Sequence, residues 1–264
     1  MMNFPFHDKT LDGQHILITG ATGGIGYAAA KAAVSAGARV TITGRNEEKL
    51  SEVRQACGED KVFAVKADLT KPQARDQLVE FAANEFGPIT GLVNSAGVGG
   101  GDIVESLSED DLRGTMELNY FSLVELTQSI YKSMKENGKG AIVNISSLSG
   151  LRGTHGNSAY SASKFAVVGF TQAFALEAIE QGVRVNAVCP GYVDTEMGRN
   201  AIKSKGERHG RSYEEQLELA KESIPSGRLT SPEEVANTIV YLLSDAAGNI
   251  VGESVKISGG SVMR

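Results

Sequence analysis

Seven short apolar runs, rich in valine and isoleucine, recur along the 264-residue chain with helix-spaced segments between them. They cover residues 15–20 (HILITG), 39–44 (RVTITG), 61–68 (KVFAVKAD), 90–94 (TGLVN), 141–147 (AIVNISS), 183–190 (VRVNAVCP) and 253–258 (ESVKIS). Near-continuous apolar runs fit strands covered on both faces, whereas a strand with one wet face alternates. The intervening segments carry helix signals. Residues 25–36 are alanine-rich, Asn46 can cap a helix that opens with Glu47 and Glu48, and Pro72 takes a first-turn position. A long segment, 110–137, stops at Asn-Gly, 158–181 stops at Gly182, and 232–244 follows a Thr-Ser pair and leads with acids. This alternation predicts an α/β chain: one doubly wound sheet of seven parallel strands with helices on both faces and right-handed crossovers. No repeat or linker divides residues 1–264, which read as one domain. The rhythm breaks at 191–227, a polar insertion in the last crossover that reads as a lid or a disordered loop. Its Arg199, Lys203, Lys205, Arg208 and Arg211 give it a basic face.

Composition narrows the function classes. The chain is 41% apolar and 22% charged, close to the globular norm, so disorder is not expected. A net charge of −6 argues against a nucleic-acid binder, which needs a basic face. No apolar stretch approaches the roughly 18 residues of a membrane span, and MMNFPFHDKTLDG lacks an export pattern. Cys57 and Cys189 make no disulfide framework, so a reducing cytoplasm is expected. The four histidines have no ligand spacing, and no metal is expected.

Most of the chemistry sits where the runs end. The first run closes in Thr19-Gly20-Ala21-Thr22-Gly23-Gly24-Ile25-Gly26 and leads into a helix. Glycines let backbone approach a pyrophosphate, and a helix N-terminus offers free N–H groups and the positive end of its dipole. The plain alternative is a tight strand-to-helix turn. The placement, first strand then alanine-rich helix, favours a dinucleotide site, with a spacing wider than GxGxxG. The second run ends at Gly44-Arg45, where an NAD site would carry a carboxylate for the ribose 2′-hydroxyl. Arg45 can fork onto a 2′-phosphate instead, so NADP(H) is expected over NAD(H), unless Arg45 is only a solvated residue at a helix start.

Tyr-xxx-Lys places a phenol and an ammonium one helical turn apart, and a nearby cation favours the phenolate. The pattern occurs at Tyr27/Lys31, Tyr131/Lys135 and Tyr160/Lys164. Of these, Tyr160 has a serine thirteen residues upstream, Ser147, at the carboxyl end of a strand, the edge where open α/β sheets bind ligands.

With these motifs in place the chain resembles the short-chain dehydrogenase/reductase family along essentially its whole length. The resemblance is carried by TGATGGIG at 19–26, AD at 67–68, NSAG at 94–97, Asn119 in ELNYFS, Ser147 in NISSLSG, YSASK at 160–164 and PGYVDT at 190–195. One small departure is Ser95, where the family commonly has Asn. The resemblance implies a Rossmann-type domain and a catalytic set of Asn119, Ser147, Tyr160 and Lys164. Tyr160 would protonate a carbonyl oxygen and Ser147 would hydrogen-bond it. Lys164 would hold the nicotinamide ribose and lower the Tyr160 pKa, and Asn119 would bind a relay water. It implies cofactor contacts from Gly20, Thr22, Gly24, Ile25, Gly26, Arg45, Asp68 (at the adenine), Leu69, Asn94, Ala96, Gly97, Tyr160, Lys164, Pro190 and Gly191. Val193 and Thr195 would meet the nicotinamide amide.

Substrate signals are fewer. The Gly99-Gly100-Gly101 loop and the 191–227 segment are similar to those of ketoreductases from aromatic polyketide pathways and, more loosely, of 3-oxoacyl thioester reductases. The segment also resembles that of 3-hydroxybutyrate dehydrogenases. The polyketide enzymes often carry Pro-Gly-Gly where this chain has Val98-Gly99-Gly100. The leading expectation is NADPH-dependent reduction of a 3-oxoacyl thioester or carrier-bound polyketide, the basic segment steering an acidic carrier protein. Alternatives are an NAD(P)-dependent dehydrogenase of a free small alcohol, 3-hydroxy acid or hydroxysteroid, and a non-catalytic nicotinamide-binding protein. The resemblance implies a homotetramer built through 110–137 and 158–181, with Phe165, Val168, Gly169, Gln172 and Leu176 as an outward stripe.

Overall fold

A computed structural model describes residues 6–100 and 102–263. The start of the N-terminal stretch and Gly101 of the glycine loop therefore lie outside the described residues. The strands are β1 (His15–Thr19), β2 (Arg39–Gly44), β3 (Val62–Lys66), β4 (Gly91–Asn94), β5 (Gly140–Ile145), β6 (Val183–Pro190) and β7 (Ser254–Ile257). All pair in parallel, in the order β3-β2-β1-β4-β5-β6-β7. The helices are α1 (Gly24–Ser35), α2 (Glu47–Cys57), α3 (Pro72–Phe86), α4 (Glu109–Met116), α5 (Ser122–Asn137), α6 (Ser158–Ile179), α7 (Glu196–Arg208), α8 (Tyr213–Glu222) and α9 (Pro232–Leu243).

The pleat divides each apolar run between two layers. Ile16 and Ile18 pack with α1, α2 and α9 on one face, while Leu17 joins α3, α5 and α6 on the other. Val93, Ala141 and Val143 follow the first pattern, and Leu92 and Ile142 the second. Ile16, Leu17 and Ile18 have no exposed surface, and each such side chain contributes about 1.5–3 kcal/mol by burial. Strand order reverses between β1 and β4, which opens a crevice at the carboxyl ends of those strands. The doubly wound α/β sheet expected from the sequence is the observed fold.

Two segments depart from their expected form. Residues 110–137 lie in one continuous helical run, but a π-helical turn, Glu117–Phe121, interrupts it between α4 and α5. The cause is a side chain within the turn. Asn119 accepts from Val98 N at 2.8 Å and donates to Val98 O and Ser163 Oγ, each at 3.0 Å, so it is held off the regular helical path. The 191–227 segment is ordered, with α7 and α8 packed together. Thr195 caps α7, and Ser212 and Glu215 form a capping box on α8. Gly206 lets the pair close, since an added methyl would lie 3.1 Å from the Arg211 carbonyl.

Candidate active site

Every residue named for the site lies at the carboxyl edge of the sheet or on the elements that pack over it. Gly20 to Gly26 follow β1, Arg45 follows β2, Asp68 and Leu69 follow β3, and Asn94 to Gly97 end or follow β4. Ser147 follows β5, and Pro190 to Thr195 end or follow β6. Thr19 ties the two sides of the crevice: its Oγ1 accepts from Ser95 N and Ala96 N at 3.0 Å each. Sequence spacing does not single out Thr19 for this, although it opens the glycine motif.

The glycine turn fits a dinucleotide. Gly20 has φ +65°, and a Cβ there would lie 2.7 Å from Ala96 Cα. A Cβ on Gly24 would lie 2.5 Å from Thr195 Cγ2, so the start of α1 abuts the loop after β6. The N-cap of α1, Gly23, supplies no side-chain cap, and the first-turn amides that follow it lie at the crevice mouth without intrahelical partners. At the neighbouring tip Arg45 is exposed and forms no ion pair among the described residues. Asp68 accepts from Thr70 Oγ1 at 2.8 Å and Thr70 N at 3.1 Å. Burial opposes its ionisation, but those two bonds, with Lys71 and Arg45 nearby, outweigh it and hold the carboxyl below its ordinary range.

The Asn94 side chain faces inward. Its amide donates to Thr127 Oγ1 at 3.0 Å and Asn144 Oδ1 at 2.9 Å, and Asn144 continues to Thr171 Oγ1. This fully interior chain braces β4 and β5 against α5 and α6, so the Asn94 side chain is turned into the core and away from the crevice. Leu69 is likewise buried, while its carbonyl accepts from Arg75 at 2.5 Å. Val193 is buried and bridges Thr230, and the Thr195 hydroxyl caps α7 at Gly198 N, 3.1 Å away.

Ser147, Tyr160, Lys164 and Asn119 come together at the mouth of the crevice. Lys164 Nζ lies 5.6 Å from the Tyr160 ring centroid and donates to the Ile145 carbonyl at 2.8 Å. Gly97 closes the other side: a Cβ there would be 3.1 Å from Asn119 Oδ1 and 3.7 Å from Lys164 Nζ. Burial brings the Lys164 ammonium down to about 8. The Tyr160 phenol is shifted up, chiefly by burial, with the Ser147 hydroxyl opposing the rise and Cys189 adding to it. The lowering of the Tyr160 pKa expected from Lys164 is therefore not found in the protein alone, because desolvation of the phenolate dominates. The other two Tyr-Lys pairs sit elsewhere: Tyr27 packs on the first core face, and Tyr131 lies edge-on to Phe174 on α6.

Supports that spacing does not reveal include Ser163, which holds Asn119, and Ser146, whose Oγ donates to the Lys164 carbonyl at 3.0 Å. The Ser146 position is visible as the first of a serine pair. Nothing in the spacing marks Ser163.

The model of the family described as short chain dehydrogenase matches residues 14–206. The chain belongs to the short-chain dehydrogenase family. Among this family's members it is similar to the 3-oxoacyl-[acyl-carrier-protein] reductase FabG of Vibrio cholerae, at 31% identity over 96% of this chain and 99% of the relative. It is also similar to the D-beta-hydroxybutyrate dehydrogenase of Cupriavidus necator, at 32% identity over 96% and 99%. In structure it is similar to a point variant of the actinorhodin polyketide ketoreductase crystallised with NADPH, with TM-score 0.91 and 33% identity over 94% of this chain and 97% of that one. The glycine cradle at Gly20 to Gly26 is the part of this short-chain dehydrogenase that suits a nicotinamide dinucleotide, as the fold predicts.

Proposed function

We propose that the chain reduces a ketone to a secondary alcohol with NADP(H), its substrate a 3-oxoacyl thioester or carrier-bound polyketide. The observation that carries this reading is the gathering of Ser147, Tyr160 and Lys164 beside a glycine-lined crevice. When bound, the nicotinamide supplies a hydride to the carbonyl carbon. Tyr160 donates a proton to the carbonyl oxygen, and burial suits that role because it keeps the phenol protonated. Ser147 donates a hydrogen bond to the same oxygen as charge develops on it. Lys164 holds the nicotinamide ribose. Both amide N–H groups of Asn119 are taken by Val98 and Ser163, which leaves its Oδ1, with one further acceptor site, and its backbone carbonyl as the groups that would bind a relay water.

Gly20, Thr22, Gly24, Ile25, Gly26, Asp68, Leu69, Asn94 (through its backbone), Ala96, Gly97, Pro190, Gly191, Val193 and Thr195 would enclose the cofactor, with Arg45 on the 2′-phosphate. NADPH in the related ketoreductase crystal supports that preference. The whole chain would act as one domain, residues 191–227 serving as the substrate lid, in the cytoplasm. An acidic carrier protein is a fitting partner, and a homotetramer is supported by the exposed Phe165, Gly169, Gln172 and Leu176 on α6, although Val168 of that stripe is buried. A second reading, a dehydrogenase of a free small alcohol, 3-hydroxy acid or hydroxysteroid, draws on the hydroxybutyrate dehydrogenase relative.

The test is NADPH absorbance over a panel of thioester and free ketones, with Tyr160→Phe beside the parent. The variant is expected to lose about 10²–10⁴-fold in turnover while retaining cofactor affinity. Retained turnover would remove the acid role, and activity confined to free ketones would favour the second reading.

A further inference from the structure

Arg199, Lys203, Lys205, Arg208 and Arg211 of the 191–227 segment read as one basic face, but folding sorts them. Arg199 pairs with Asp194 at 2.8 Å, Lys203 faces Glu207 at 3.9 Å, and Arg211 donates to Gln216 at 3.1 Å. Arg208, at the end of α7, reaches instead across to the loop between Ser147 and Tyr160 and donates to the Gly156 carbonyl at 3.1 Å. That bond leaves the guanidinium charge unneutralised and its other N–H groups free. Arg152 stands on the same loop and is exposed. Among the described residues neither arginine forms an ion pair.

The two guanidiniums share a neighbour. Both act on the phenol of Tyr192, which lies two residues beyond Pro190 at the tip of β6. Burial of Tyr192 outweighs both cations and raises its pKa, so the hydroxyl stays a donor. The walls involved are the β6 tip and the loop that links Ser147 to Tyr160, so this cluster of unpaired donors stands at the rim of the site.

We propose that Arg152, Arg208 and the Tyr192 hydroxyl form a subsite for an anionic oxygen group on the ketone substrate. That group is either the phosphate of a pantetheine thioester or a free carboxylate. Both present the planar or tetrahedral oxygen sets that a guanidinium grips through paired N–H bonds. This subsite rests on the carbonyl-reductase reading and adds to it the feature of the substrate that is recognised.

The experiment compares matched ketones that differ in charge: acetoacetyl-pantetheine 4′-phosphate against acetoacetyl-pantetheine, and acetoacetate against its ethyl ester. The variant is Arg152→Gln/Arg208→Gln, whose amides still offer Gly156 a donor. KM for the charged member of one pair is expected to rise about tenfold or more, with kcat little changed and its neutral partner unaffected. The pair that responds tells phosphate from carboxylate. An equal rise for charged and neutral members, or no rise in either pair, overturns the subsite. If the parent protein reduces none of the four, the reductase reading fails separately. The subsite is then judged by calorimetry on the NADP-saturated protein with pantetheine 4′-phosphate and with acetoacetate. Binding weakened about tenfold in the variant supports it, and equal or absent binding overturns it.

Discussion

Lys164 concentrates the chemistry of this protein in one side chain. Its ammonium is drawn from about 10.5 to about 8 by burial, and at neutral pH that costs the fold on the order of 3 kcal/mol. The sign follows from linkage. The unfolded chain binds the proton more tightly, so the cost is present below pH 8 and is relieved as pH rises toward 10.5. Activity should run the other way. With Tyr160 kept protonated by burial, kcat/KM for ketone reduction is expected to hold up to about pH 8 and fall above it as Lys164 loses its proton. A pH–rate profile flat to about pH 10 would show that this ammonium does not govern the step. The pairing of Tyr160 with Lys164 and the placing of Ser147 were legible from residue types and spacing. The direction of the Tyr160 shift was not, because desolvation depends on what covers the ring, and the groups that act on it, Ser147 after β5 and Cys189 on β6, are distant from it in sequence.

At the scale of elements, the ends of strands do the recognising. Gly44 packs against Thr22, where an added Cβ would lie 3.1 Å from the threonine methyl, so the tips of β1 and β2 meet and present Arg45 beside the glycine turn. Arg45→Ala is therefore expected to raise KM for NADPH about tenfold or more, the loss of one charge-assisted contact, and to leave KM for NADH nearly unchanged. Equal changes for both cofactors would take the 2′-phosphate away from this residue. Element type was readable here, since β-rich runs and caps such as Asn46 at Lys49 N act locally. The break at Glu117–Phe121 was not, because it is imposed by Val98 and Ser163, which are distant in sequence from Asn119. The helices α7 and α8 had local signs, Thr195 and the Ser212/Glu215 box, that the polar character of the segment obscured.

Across the whole molecule, the edge opposite the site is tied by a buried histidine. His15 opens β1, with Nδ1 2.8 Å from the Gly87 carbonyl, Nε2 2.8 Å from Thr41 Oγ1, and its ring edge-on to Phe86. It thus joins two strands to the α3–β4 turn, with Nδ1 as donor and Nε2 as acceptor when neutral. Burial lowers its pKa from the ordinary 6.5, outweighing the Gly87 carbonyl. A depressed folded value means that the stability His15 contributes is present above 6.5 and drains away as pH falls below it. Thermal midpoints are expected to drop between about pH 7 and 5. His15→Gln should flatten that slope, and His15→Ala should cost about 2–4 kcal/mol through the lost packing and orphaned partners. An unchanged slope in the glutamine variant would place the acid sensitivity elsewhere.

Read along the chain, the order of strands and helices, the two-faced sheet and the position of the glycine turn were already decided, because periodicity, caps and glycine act over a few residues. Assembly in three dimensions settled the rest. It directed the Asn94 amide into the core, paired Arg199 with Asp194 and Lys203 with Glu207, left Arg152 and Arg208 without an acid partner, and moved the titration of Tyr160, Lys164 and His15. Each of those outcomes turns on distance and solvent exclusion between residues far apart in the chain, and such quantities exist only once the layers have closed.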